Sequence, residues 1–581
     1  MQNNASRRRR GRRRLRWAGA LIFVALLAAL FVVIYGGAKD EEIAASPSPK
    51  PSASVTPAVS PTPSPEFQPY AVTSTVPSKL LAGMGILANG SPQSAYSAAE
   101  PFDFGLGETY TAVQGIVTFR GNNFRDGGAY GAVDFSPGKL EKAYNLPTGT
   151  LTAPDGTTFS GSGFVGQPLV MTWPKDTRAH MDLYDWAKGQ DTLTEVIYAT
   201  MDGKVYFFEL GTGKATRDPL DLGYPFRGSG ALDPRGYPIL YLGSGGDSEA
   251  GASHIFVVSL LNAQVLYEFG AEDSFATRSG AASFDGSPLV DAQTDTLIYP
   301  GDNGVLYLLK LNAAFDAQAG TLSVQPSNMV KWHYSGKRTT DDSFWPGTRA
   351  SCVIWGSCLI VADHGGNLIC LDLNTLTVKW AQNVLDDTND SPVLEMEDGH
   401  PYLYISTSFH LGWRGSNTAT VPVWKIDAVT GQIVWHTDYT CYSTADLSGG
   451  VQGTIAVGKN KLGDLIFVPM ARPAVMGGAY GSYLVALDKE TGKEAWHVDN
   501  NGYSWSSPVV VYDSQGNGYI IYCTTEGYIY LLDGRTGDKL DAAKLGTSID
   551  ASPVAYNDMV VVGTRDAEIW GIRLAPPSPP Q

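Results

Sequence analysis

VWKIDAVTGQIVW (Val423–Trp435) and YLVALDKETGKEAW (Tyr483–Trp496) follow one pattern. An apolar strand ends in Asp, a short polar turn ends in Thr-Gly, and a second strand ends in Trp. ICLDLNTLTVKW, ending at Trp380, and IYLLDGRTGDKL, ending at Leu540, repeat it with small departures. The chemistry is that of a β-hairpin. The Asp carboxylate accepts bonds from turn amides, Gly supplies a positive φ at little steric cost, and the terminal indole offers a broad apolar face for docking on a neighbour. This assigns Asp372, Trp380, Asp427, Gly431, Trp435, Asp488, Gly492, Trp496, Asp533 and Gly537 to holding repeat units together.

A second element precedes these hairpins: DGSPLV (Asp285–Val290), NDSPVL (Asn389–Leu394), WSSPVVV (Trp505–Val511) and DASPVA (Asp550–Ala555). A Ser-Pro turn leads into a β-branched strand, followed by strands such as TLIYPGDNG and MVVVGTRDA. Four short strands recurring every ~40–60 residues describe a propeller blade. Units begin near Gly166, Gly228, Ser287, Thr348, Ser391, Gly449, Ser507 and Ser552, so the sequence predicts an all-β, eight-bladed propeller over residues 139–574. The last unit ends one strand short, at IWGIRL (Ile569–Leu574), while KLEKAYNLP (Lys139–Pro147) matches an outer strand. The N-terminal strand is therefore expected to close the last blade, which removes the exposed edges of an open sheet.

Outward from the repeats, residues 70–138 read as an extension and strap. Within them GIVTFRGNNFRDGGAYG (Gly115–Gly131) is too polar and Gly/Asn-rich for a core strand. Its Phe119, Phe124 and Tyr130 are expected to pack onto the propeller; the alternative has Arg120, Asn122, Asn123 and Arg125 facing a ligand. Residues 37–69 are rich in Pro, Ser and Thr and bury too little apolar surface to offset ordering entropy, so they read as a disordered, semi-rigid stalk. Residues 17–36 form an uninterrupted apolar run, long enough to span a bilayer at 1.5 Å per residue. Residues 1–16 carry eight arginines and no acid, which places them in the cytoplasm and the propeller outside a cell membrane crossed once by a signal anchor. A cleaved signal peptide ending at Gly36-Gly37-Ala38 is the alternative. Residues 575–581 form a short disordered tail.

Without those eight arginines the chain retains 34 basic and 58 acidic residues, a charge of about −24 that repels phosphate backbones and disfavours nucleic acid. Five cysteines leave at least one without an intrachain partner. Cys352 and Cys358 could face each other across a hairpin, or be two small buried hydrophobes.

The Asp-x-x-Thr-Gly-x-x-x-Trp repeats resemble those of the pyrroloquinoline-quinone (PQQ) propeller superfamily, over about 435 residues from Lys139 to Leu574. That group includes quinoprotein alcohol dehydrogenases and non-catalytic relatives such as the outer-membrane assembly propeller lipoprotein, and the present chain is more similar to the non-catalytic branch. The dehydrogenases stack the quinone between a Trp and a disulfide of adjacent cysteines, beside Ca²⁺. No Cys-Cys pair, CxxCH, HExxH, GxSxG or P-loop occurs in this sequence, so no catalytic, cofactor or metal residues are assigned. No cofactor is expected; PQQ with calcium belongs only to the alternative of an oxidoreductase with a degenerate site.

One constellation remains. Segments leading into the innermost strands carry Arg227, Arg278, Asp285, Trp345, Arg349, Asp390, Asp446, Trp505 and Asp550 at a similar repeat phase. Such loops converge on one mouth of a propeller's channel, where they could hold a polar ligand or lace adjacent blades together. The expected role is that of a membrane-anchored binding or scaffold module for a protein or cell-envelope polymer.

Overall fold

The computed structural model describes residues 67–162, 166–278, 282–338, 346–409, 416–444, 447–472 and 481–577. The basic tail, the apolar run 17–36 and nearly all of the stalk lie outside these residues. No helix among the described residues is long and apolar enough to cross a membrane.

Eight antiparallel sheets follow one another along the chain as blades 1–8, each running outward from a short first strand. The first strands are Leu169–Thr172, Ala231–Leu232, Leu289–Asp291, Val353–Trp355, Val393–Glu397, Gly449–Val451 continued by Ala456–Val457, Val509–Tyr512 and Val554–Tyr556. Middle strands such as Asn367–Asp372 are buried throughout, because both faces of each blade are covered by neighbouring blades. Fourth strands such as Glu494–Asn500 alternate between exposed and half-buried residues, as expected at a rim.

Blade 8 closes as expected: Lys139–Pro147 pairs antiparallel with Glu568–Ala575, Leu140 opposite Leu574 and Asn145 opposite Trp570. The extension before it carries strands of its own. Leu81–Ala88 pairs with Ser327–Gly336 as a fifth strand on blade 3, and Ser91–Gln93 folds back as a sixth.

The third-to-fourth-strand turns have the predicted chemistry. Asp427 Oδ1 accepts the Val429 and Thr430 amides at 2.8 and 2.9 Å, Asp488 accepts that of Thr491, and Asp533 those of Arg535 and Thr536. In blade 4 the glycine is replaced by Leu376, which adopts a φ of 51°. Each docking indole reaches the next blade. Trp380 Nε1 donates to Ala428 O and Trp435 Nε1 to Lys489 O, both at 2.9 Å. At the closing seam a tyrosine does the same work, with Tyr144 Oη donating to Leu210 O at 2.9 Å.

Of the two readings of Cys352 and Cys358, that of small buried residues holds and that of a facing pair does not. Their hairpin sets Trp355 opposite Cys358 and Val353 opposite Ile360, so the two cysteines are out of register. All five cysteines are buried free thiols.

Candidate functional site

The Ser-Pro turns acquire a purpose at the axis. The Ser351 amide donates to Ser391 Oγ at 2.8 Å, Ser391 to Thr454 at 3.0 Å, Thr454 to Ser507 at 2.9 Å and Ser507 to Ser552 at 3.1 Å. Ser287 donates to Ser351 and Gln167 to Ser229, while the Ser552 amide reaches Gly166 O. Every donor is buried, so each of these seven seams satisfies an amide that would otherwise cost free energy. These hydroxyls encircle the channel.

The strap does more than pack aromatics on the surface: it threads the channel. Gly115–Ile116 adds to the inner edge of blade 1 and Ala129–Tyr130 runs parallel to Ala555–Tyr556 of blade 8. Between them, Arg120 O accepts the amides of Asn122 and Gly127, closing a compact loop. The Ile354 and Leu394 amides donate to Asn123 O and Phe124 O. Arg125, fully buried, donates from Nε to Cys352 O, from Nη1 to Thr118 and Phe119 O, and from Nη2 to Ser287 O. Arg120 reaches Pro508 O at 3.0 Å. The two arginines thus tie carbonyls of blades 3, 4 and 7 to one hub, and the structural reading of the strap holds for Arg125 and Asn123. Phe119, whose amide donates to Ser287 Oγ at 3.1 Å, floors the space above.

Above that floor lies the mouth, on the face where fourth strands pass to the next blade and second strands turn into third. Of the predicted residues, Trp345 and Asp446 lie outside the described residues; the other seven are divided between two sides. Arg349 Nε stands 3.3 Å from Asp302 and 3.8 Å from Asp285, and Arg278 Nη1 is 3.6 Å from Asp302. Arg227 acts on Asp285 electrostatically. Burial raises the Asp285 carboxyl, with Arg227 and Arg349 opposing, and raises Asp390 well above the usual range. Across the mouth, Asp550 accepts from Ser548 at 2.7 Å and lies 3.5 Å from Arg565. Burial lifts its carboxyl too. Trp505 flanks that side, its ring 5.6 Å from that of Tyr503.

Sequence reading missed the groups that join the first cluster: Asp302, His364 and Asp387. His364 is 3% exposed, with Nε2 3.1 Å from Asp302 Oδ1 and Nδ1 bonded to Asp387. Burial works against its charge, yet the Asp387 and Asp302 carboxylates prevail and raise it to about 9. An imidazolium therefore joins blades 3, 4 and 5 at neutral pH. The available signal was the second-to-third-strand turn, Gly-Asp-Asn-Gly in blade 3 and Asp-His-Gly-Gly in blade 4.

Two cavities open here. The axial one, lined by Phe119, Asp285, Arg349, Asn389 and Gln452 over the hydroxyl ring, has about 20 Å³, room for about one water. A three-ring quinone does not fit it, and the cysteines are scattered through the sheets with no adjacent pair to stack against. Beside it, between blades 2 and 3, about 340 Å³ is lined by Asp247, Ser253, Asp273, Ser274, Arg278 and Asn303. Among the described residues no cluster of His, Cys, Asp and Glu is arranged to hold a metal ion.

Residues 480–575 match the family described as "Outer membrane protein assembly factor BamB". A curated relative, the beta-alanine-activating enzyme of Danio rerio, is 25% identical over 99 residues; the match spans 17% of this chain and only 9% of that protein. Among solved structures, the quinohemoprotein alcohol dehydrogenase ADHIIG of Pseudomonas putida HK5 superposes with a TM-score of 0.53 at 11% identity, covering 83% of this chain and 84% of the other. BamB from Moraxella catarrhalis gives 0.43 at 14% identity, covering 70% and 98%. Its ring of eight sheets and the superposition on the alcohol dehydrogenase make the chain a β-propeller, and its last repeats, residues 480–575, are similar to those of the matched family.

Proposed function

We propose that the protein is a membrane-anchored, extracytoplasmic binding module whose mouth face holds a polar group of a protein or cell-envelope polymer. One observation carries this reading: hydrogen-bonding capacity at the mouth is left unused. Asp285 Oδ1, Asp390 Oδ1 and Arg227 Nε are buried and make no hydrogen bond among the described residues. Buried polar atoms are nearly always paired, with protein, water or ligand, so these three have capacity for a further bond. Asp285 lines the axial cavity, and Asp390 stands between its lining residues Asn389 and Ser391. A ligand's hydroxyl, amide or ammonium group would supply the missing bonds, with the 340 Å³ side cavity taking the group next to it. The arginine-rich start and the apolar run that follows support anchoring.

Photocrosslinking in intact membranes tests it. A photoreactive residue at position 349 should capture a partner that one at position 493, on the opposite face, does not; equal capture or none from both would sink the proposal. In parallel, dye-linked oxidation of alcohols with added PQQ and Ca²⁺ should give no turnover. Turnover would instead favour a quinone-dependent oxidoreductase.

A further inference from the structure

A second cavity faces the other way. On the face that carries the Asp-x-x-Thr-Gly turns, about 160 Å³ opens between the strap and blades 6 and 7, lined by Arg120, Asp126, Gly127, Gly128, Lys459 and Tyr512. Its deepest polar group is the Arg120 guanidinium, 2% exposed. Nε donates to Arg125 O at 3.1 Å and Nη1 to Pro508 O at 3.0 Å. Both acceptors are neutral carbonyls. Nη2 makes no hydrogen bond, and Arg120 forms no ion pair among the described residues.

We propose that this cavity is a seat for one small oxyanion, a carboxylate or a phosphate group, held by Arg120 at its base and Lys459 at its rim.

The charge balance favours this. Lys459 Nζ pairs with Asp126 Oδ2 at 2.6 Å, and Asp126 Oδ1 accepts from Asn122 at 2.6 Å. Arg120, Lys459 and Asp126 together leave one positive charge in a site walled by Val457, Val510 and glycine backbone. A guanidinium removed from water with only neutral acceptors pays a desolvation cost that an anion would offset through charge-assisted bonds. Burial lowers Arg120 to about 10, so it remains cationic at neutral pH. The volume suits a single tetrahedral or planar oxyanion, not a nucleotide.

Equilibrium dialysis of the full chain in detergent against radiolabelled inorganic phosphate, at low ionic strength, provides the test. Saturable uptake of one phosphate per chain is expected. Lys459→Gln removes a cation and unmasks Asp126, so affinity should fall by about tenfold or more; Asp126→Asn should raise it several-fold, about the scale of one charge-assisted bond. Neither side chain belongs to the Arg120 and Arg125 clamps, so both substitutions leave those intact, and an unchanged unfolding midpoint would verify the fold. A purely structural role would not produce shifts of opposite sign. Competition by acetate separates the sources: displacement at similar concentrations assigns the seat to a carboxylate, and no displacement assigns it to a phosphate. Unsaturable uptake, or both variants binding as the parent does, would overturn the proposal.

Discussion

Trp380 lies against Gly431 of the next blade so closely that a Cβ on that glycine would stand 2.6 Å from indole Cδ2. Trp435 covers Gly492 and Trp496 covers Gly537 in the same way, each with a gap of 2.7 Å to such a Cβ. The repeat's Gly and Trp are therefore one device split across two blades: the turn of one makes the flat spot on which the ring of its neighbour rests.

Gly431→Ala must both strain a φ of 70° and push the indole out. A destabilisation of about 2–4 kcal/mol is expected, by overpacking added to the left-handed backbone cost. Gly399, with φ 81° and open space where a Cβ would go, provides the control. Gly399→Ala should cost about 1 kcal/mol, the backbone part alone. Urea midpoints of the two variants separate the contributions, and equal losses would deny the docking role.

The hydroxyl ring makes a different demand. Ser391→Ala leaves the Ser351 amide buried without an acceptor, at a cost of about 1–3 kcal/mol. Ser391→Thr restores an oxygen and should recover most of it, since Thr454 already holds the corresponding place in blade 6. Recovery absent in the threonine variant would show that packing, not the hydrogen bond, governs the seam.

How much of this was legible depended on whether the chemistry is local. The Asp-to-amide bonds of Asp427 and Asp488 close within three residues, so the turns could be read directly, and the closing strand followed from a missing partner at Ile569–Leu574. Positions such as Asp285 and Asp390 were visible because each precedes a Ser-Pro step. Asp302 and His364 were not, since their turns differ in sequence and their bonds cross from blade to blade. The strap was hardest. Arg125 donates to three main-chain carbonyls, those of Cys352 and Ser287 far away in the sequence, and such partners leave no trace in side-chain identity.

The cysteines give a simple check on the packing. Burial pushes the Cys352 thiol to about 11 and Cys523 to about 12, and all five thiols are enclosed by sheets. Since the thiolate is the reactive form, a thiol reagent such as Ellman's should label none of the five in the native protein at pH 8 and all of them in denaturant. Reaction of two or more before unfolding would mean that the blades holding them open readily.

His364 predicts a pH dependence of defined sign. Free imidazole titrates near 6.5, whereas the folded group holds its proton to about 9 because Asp302 and Asp387 flank it. Below about 6.5 both folded and unfolded chains carry the charge, and the stabilising contribution is complete. Between there and 9 only the folded chain keeps the proton, so stability from this group declines by as much as about 1.4 kcal/mol per pH unit and is gone once the folded group deprotonates. His364→Gln removes the titrating cation while retaining a donor between the two carboxylates. The variant should be clearly less stable than the parent at pH 6, and the difference should shrink as pH approaches 10. Comparing urea midpoints of both proteins across that range cancels the other groups that titrate there. A difference that stays constant would mean that His364 is neutral in the folded protein, and that the bridge across blades 3, 4 and 5 is a hydrogen-bonded one without charge.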